Sequence, residues 1–190
     1  MTSDIYNLKS SCLRGYFFLK VKLTIRIYPD PVLREKSSPV SIFDERLQKI
    51  ATSMIQFMQG LNGIGLAAPQ IGILERIIVV DVGQGPLYIV NPEITKSKGK
   101  DIFEEGCLSV PGTFIQIKRP FLVAVRGYDI NGKEIHIKAK DLLARVIQHE
   151  IDHLDGRLII DFLSREERLK FNLDYNPTLP AYEVKEKRGV

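Results

Sequence analysis

Gln148-His149-Glu150-Ile151-Asp152-His153-Leu154-Asp155-Gly156 closes a helical pattern that opens at Asp141. Leu142, Leu143, Val146, Ile147, Ile151 and Leu154 recur at three- and four-residue intervals, and Gly156 is the stop signal. Side chains four apart lie one above the other on a helix, so His149 and His153 share a face. Neutral imidazoles in that arrangement can hold one metal ion from a rigid base, and Glu150 stands where it reaches a water on that ion. Val146 lies three residues before His149 and projects near the same face.

Two histidines do not complete a metal site, because a catalytic centre of this kind takes three protein ligands. Where the long metzincin pattern has a third His, this chain has Ile159, which disfavours that subclass. Glu166 or Glu167, His136 and Cys107 remain as third donors. Cys107 offers a soft thiolate within Glu105-Gly106-Cys107-Leu108-Ser109, although a lone Cys in an apolar loop is more often a small buried residue. A third segment, Gly63-Ile64-Gly65-Leu66-Ala67-Ala68-Pro69-Gln70, allows close backbone approach. It lacks the Lys-Ser/Thr ending of a phosphate loop and misses the dinucleotide spacing. A glycine wall with one amide, Gln70, suits a peptide or acyl group.

The rest of the chain reads as α+β, with mostly antiparallel strands around the central metal-binding helix. Residues 24–28 form a short strand ended by Pro29-Asp30-Pro31. Ser41 and Asp44 open a helix with a capping box, carried by Leu47, Ile50, Met54, Phe57 and Met58 to Gly60. Residues 76–82 and 87–91 are buried strands, 121–130 and 133–138 a hairpin around Asn131-Gly132, and Ser164 to about Asn172 a third helix. The domain reading is an extension of unknown order at 1–23, a catalytic domain at 24–172 and a tail at 173–190.

Composition bounds the function. The 190 residues are 44% apolar and 26% charged, the balance of a globular domain. With 27 Lys and Arg against 23 Asp and Glu, the net charge is +4, which permits an acidic partner without requiring one. Cys12 and Cys107 make no disulfide framework, and with three histidines the candidates for Cys or His chemistry are few. The uncharged run from Ile50 to Leu74 is too broken by Gly, Pro69 and Gln for a membrane span. The apolar cluster Tyr16 to Leu19 is too short for a secretion signal. The expected setting is a reducing, cytoplasmic one, with no membrane and no DNA partner.

GIGLAAPQ (63–70), EGCLS (105–109) and QHEIDHLDG (148–156) together resemble the three signature motifs of the peptide deformylase family, in the family's order. The resemblance runs from about Thr24 to Leu163 and includes YPDPVLR (28–34) and Arg119-Pro120. It implies the family's fold and its activity, removal of the formyl group from N-formylmethionyl nascent chains. It implies one divalent metal ion on Cys107, His149 and His153, natively Fe(II), with Zn, Ni or Co able to occupy the site. Glu150 then becomes general base and acid around a metal-activated water. The Gln70 side chain and the Leu108 N–H become oxyanion donors, and the Gly65 backbone meets the substrate.

Glu105 and Asp152 are expected behind the ligands, and Glu105 is also counted with Gly63, Ile64 and Gly65 in the substrate site. Ile64, Phe103, Leu142 and Val146 are the candidates for a methionine pocket. Contact with the ribosome surface is a family-level expectation, to which the near-neutral stretch from Ser164 onward adds little. Cys12 receives no role. Two other readings stay open: a metallopeptidase with a downstream Glu as third ligand, and a non-enzymatic metal-binding or ribosome-associated module.

Overall fold

The computed structural model describes residues 23–176. Its helices are α1 (Glu45–Gly60), α2 (Asp141–Leu154) and α3 (Arg165–Asp174). Its strands are β1 (Gly65–Ala67), β2 (Ile77–Val80), β3 (Leu87–Lys98), β4 (Asp101–Cys107), β5 (Val110–Arg119), β6 (Leu122–Tyr128) and β7 (Glu134–Lys140). Five strands form an antiparallel sheet in the order β1-β2-β3-β6-β7, and β4 pairs with β5 in a separate two-stranded sheet. The expected α+β architecture around α2 is therefore present.

Alternation along β2 builds the layers. Successive strand side chains point to opposite faces. Ile77 and Val79 pack with Leu47, Ala51, Met54 and Met58 of α1, while Ile78 and Val80 pack with Ala144, Val146 and Ile147 of α2. All four β2 residues are buried, which explains why this strand reads as a continuous apolar run. A third cluster joins β5 to residues 158–160 through Val110, Ile115, Ile117 and Ile160, with Cys107 packed against it.

Several local expectations need correction. Residues 24–28 form no strand, because their backbone donors go to separate segments: Arg26 N–H to Gln70 O (2.7 Å) and Tyr28 N–H to Ser109 O (2.8 Å). The α1 cap is Asp44 alone, accepting from the Leu47 N–H at 3.0 Å, and Ser41 lies outside the helix. The β6–β7 turn is a longer loop than a two-residue turn. Gly132 N–H bonds Asp129 O, and Gly132 takes the left-handed conformation (φ 82°). β4 and β5 were not anticipated. The third expected helix, Ser164 to about Asn172, is present as α3, with Ser164 as its cap and its end at Asp174. Residues 1–22, with Cys12, and residues 177–190 lie outside the described residues.

Candidate metal centre and active site

α2 carries the histidines, and β4 brings the cysteine to them. The donor atoms of Cys107, His149 and His153 all lie within 4.8 Å of one another. Cys107 Sγ is 3.2 Å from His153 Nε2. His149 Nδ1 is 3.0 Å from Glu105 Oε2, which leaves Nε2 to face the sulfur. Glu105 and Cys107 both belong to β4, with a shift in its pairing between Gly106 and Cys107, so one strand supplies both the thiol and the carboxylate that orients His149.

Glu105 sits in a dense ion network. Arg119 Nε donates to its Oε1 at 2.7 Å and Arg119 Nη2 to its Oε2 at 3.1 Å. Arg145 Nη1 donates to Oε1 at 2.7 Å, and Arg119 Nη1 reaches Asp152 Oδ2 at 2.7 Å. Burial alone would raise the Glu105 carboxyl, but hydrogen bonds from His149 and Arg119, with their charges, hold it down at about 2.

Glu150 has the opposite environment. It is buried, its Oε2 has no hydrogen-bond partner, and burial pushes its carboxyl up to about 7. Two carboxylates in one cavity are thus driven apart, one fixed as an anion and one poised to exchange a proton.

The donor set fits a divalent cation. Burial works against charge on His149, yet hydrogen bonds to Cys107 and Glu105 and the thiolate's charge raise it well above its usual value. The site therefore draws positive charge. Burial, with the charges of His149 and Arg119, keeps His153 neutral, the form in which it ligates.

A cavity of about 500 Å³ opens in front of these groups. Gly63, Ile64 and Gly65 line one side and Phe103, Glu105 and Leu108 another, with Leu142 and Val146 at the α2 end. Val146 is buried, whereas Ile64, Phe103 and Leu142 are 43%, 57% and 46% exposed and shape the mouth. Gln70 is fixed by accepting the Ala67 N–H at 2.8 Å, and its Nε2 lies 3.2 Å from Ser109 Oγ and 3.8 Å from Cys107 Sγ. A side chain at Gly65 would overlap Glu150 Oε1 and sit 2.6 Å from Val146 Cγ1, so only glycine fits.

The alternative third ligands stand elsewhere. His136 is exposed on β7 beside Glu134, and Glu166 and Glu167 are exposed in the first turn of α3, where Glu167 closes the capping box. Arg145 and Ser109 were missed by sequence reasoning. An arginine on an otherwise apolar helix face, one turn before His149, was the available signal for the first.

Three donors of this kind converging beside an unpartnered carboxyl, with a glycine-walled cavity in front, suit a hydrolase working through one metal ion. The polypeptide deformylase family model matches residues 22–169. A peptide deformylase of Thermodesulfovibrio yellowstonii is 51% identical over 154 residues, covering 78% of this chain and 93% of that protein. The crystal structure of a peptide deformylase from Legionella pneumophila superposes with a TM-score of 0.76 at 43% identity, over 80% of this chain and 91% of that one. The Synechococcus elongatus enzyme, solved in complex with actinonin, gives 0.76 at 40% identity, over 82% and 88%. The chain belongs to the peptide deformylase family, metal-dependent hydrolases that act on N-formylmethionyl peptides. Among the described residues no helix is long and apolar enough to cross a membrane.

Proposed function

We propose that Cys107, His149 and His153 hold the metal of a deformylase in which Glu150 moves the proton. The observation that carries this reading is the free, buried Glu150 carboxyl beside the Cys/His/His cluster. A divalent ion bound there supplies Lewis acidity, polarising the formyl carbonyl and lowering the pKa of a water toward roughly 7.

Every other contribution comes from the chain. The Gly63 and Gly65 backbone lets the extended peptide approach, and Ile64, Phe103, Leu142 and Val146 take the methionine side chain. Glu105 lines the cavity but spends its oxygens on Arg119, Arg145 and His149, so its part is to orient His149. Asp152 steadies Arg119 behind it. Glu150 removes a proton from the attacking water as its oxygen bonds the formyl carbon. The Gln70 amide and the Leu108 N–H stabilise the developing oxyanion. The C–N bond then breaks, Glu150 protonates the leaving amine, and formate and a free N-terminus result.

Fe(II) is the expected native metal, with Zn, Ni or Co able to take its place. The working compartment is the cytoplasm, and contact with the ribosome surface near the nascent chain brings the enzyme to its substrate. Anaerobic formate release from formyl-Met-Ala, with metal analysis of the same sample, tests the reading. Glu150→Gln should keep the metal and lose turnover, whereas Cys107→Ala should lose the metal. Full metal content in Cys107→Ala would overturn the ligand assignment.

A further inference from the structure

The large sheet has two faces, and one is only partly covered. α1 packs over β2 and the start of β3, through Ile77, Val79 and Val90. α2 packs on the opposite face, through Val123, Val125 and Ala139 of β6 and β7. Beyond α1, and past Phe43 on Tyr128, no other described element packs on the α1-side face of β3, β6 and β7. Register aligns Lys96, Ala124 and Lys138 in one rung and Lys98, Leu122 and Lys140 in the next. All four lysines are exposed. Strand geometry sets the rungs about 7 Å apart and the two lysines of each rung about 10 Å apart.

This arrangement is concave. The small Ala124 side chain leaves a depression of about 470 Å³ between Lys96 and Lys138, also lined by Thr95 and His136. Thr95, at a β-bulge, is tied down by its hydroxyl's bond to Ala124 O at 3.1 Å. Nearby charges are matched: Arg126 pairs with Glu93, and His136 lies 3.5 Å from Glu134. Among the described residues none of the four lysines has a carboxylate within ion-pair distance. Like charges facing one another across a sheet repel. Here they do so although residues 23–176 carry equal numbers of basic and acidic side chains. The surplus is local.

We propose that this sheet face binds the phosphate backbone of duplex RNA. Unpaired ammonium groups around a hollow match repeated phosphates, which release counterions when neutralised. Among the described residues no aromatic side chain stands in the lysine rungs, so those rungs offer no platform for splayed single-stranded bases. It contacts backbone and reads no sequence. The choice of RNA rests on the function proposed above, whose peptide substrate is tethered to the ribosome, a body of structured RNA. The face lies across the sheet from α2 and its histidines, so a molecule anchored there keeps its cavity clear.

The test compares the full chain with a variant carrying Lys96→Gln, Lys98→Gln, Lys138→Gln and Lys140→Gln. Fluorescence anisotropy with an RNA hairpin of about 16 base pairs reads affinity as salt rises from about 50 to 200 mM. Four phosphate contacts predict a contribution of about −3 to −4 to the slope of log K against log salt, an affinity loss of about 10²-fold over that range. The variant should lose that contribution and release formate from formyl-Met-Ala at the unchanged rate. Basic residues outside 23–176 are present in both proteins, so the difference isolates the sheet face. The proposal is overturned if wild type does not bind at about 50 mM salt or if the variant keeps the wild-type slope. Tighter binding to duplex DNA or to phosphatidylglycerol vesicles than to the hairpin would overturn it as well. Binding and turnover are read in separate assays, so failure of this proposal is distinct from failure of the proposed activity.

Discussion

Gly65→Ala is the most sensitive probe of the proton-transfer geometry. The added methyl would overlap Glu150 Oε1, 2.6 Å from Val146 Cγ1 and 2.9 Å from the Glu150 carboxyl carbon. Ordinary carbon contacts lie at about 3.5–4.0 Å, so the carboxyl must retreat by about 1 Å. Val146 is held inside the α2 core and has little room to give. Overpacking of this kind costs about 1–3 kcal/mol of stability. A misplacement of about 1 Å in a reacting group costs about 10²-fold in rate. Gly65→Ala should therefore lower kcat for formyl-Met-Ala by about 10²-fold. Bound metal should stay at the wild-type amount, since the atoms nearest the new methyl group belong to Glu150 and Val146, neither of which is a proposed ligand. Stopped-time formate assays with metal analysis and a thermal melt separate the effects. A folded, metal-loaded variant with kcat within about threefold of wild type would refute the claim that Glu150 works from its observed position.

Three further outcomes follow from the ion network and the donors. Glu105→Gln leaves Arg119 and Arg145 buried without their shared counter-charge, so urea unfolding should show a loss of about 3–5 kcal/mol, with metal bound about 10–100-fold more weakly. Glu105 is held at about 2 against an ordinary 4.5, so its stabilisation is fully present above pH 4.5 and fades as pH falls through about 2. About 3 kcal/mol is at stake, of which roughly 2 should be gone by pH 3 in wild type and not in Glu105→Gln; parallel pH profiles would contradict it. Gln70→Leu should retain metal and lose about 10²–10³-fold in kcat. A near-normal rate would remove Gln70 from the oxyanion site.

Legibility in the sequence followed the range of the interaction. Spacing alone brought His149 and His153 to one face, because both sit on a single amphipathic helix with a clear start and stop. β2 and the beginning of β3 were legible as apolar runs, since helices cover both faces there. β4 and β5 were opaque. Their outward side chains include Ile102 and Phe114, 60% and 68% exposed, so no clean apolar–polar alternation marks them. Residues 24–28 alternate well yet find no ladder, showing that a pattern of side chains does not supply backbone partners. The Arg145–Glu105 pair spans 40 residues, and no local rule could foresee it. The cysteine joined the histidines only through the resemblance of three separate segments, as chain spacing carries no information about that contact.

The position of Glu105 and Cys107 on one strand has a consequence for assembly. β4 is held by its register with β5, Glu105 opposite Ile115 and Gly106 opposite Phe114. A slip of one residue there would turn Glu105 away from His149, because strand faces alternate. Cys107 lies past the shift in that ladder, paired with Val110, so thiol and carboxylate are held by separate stretches of one hairpin. Unpairing the ladder should therefore loosen the carboxylate that orients His149 while the turn still holds the thiol.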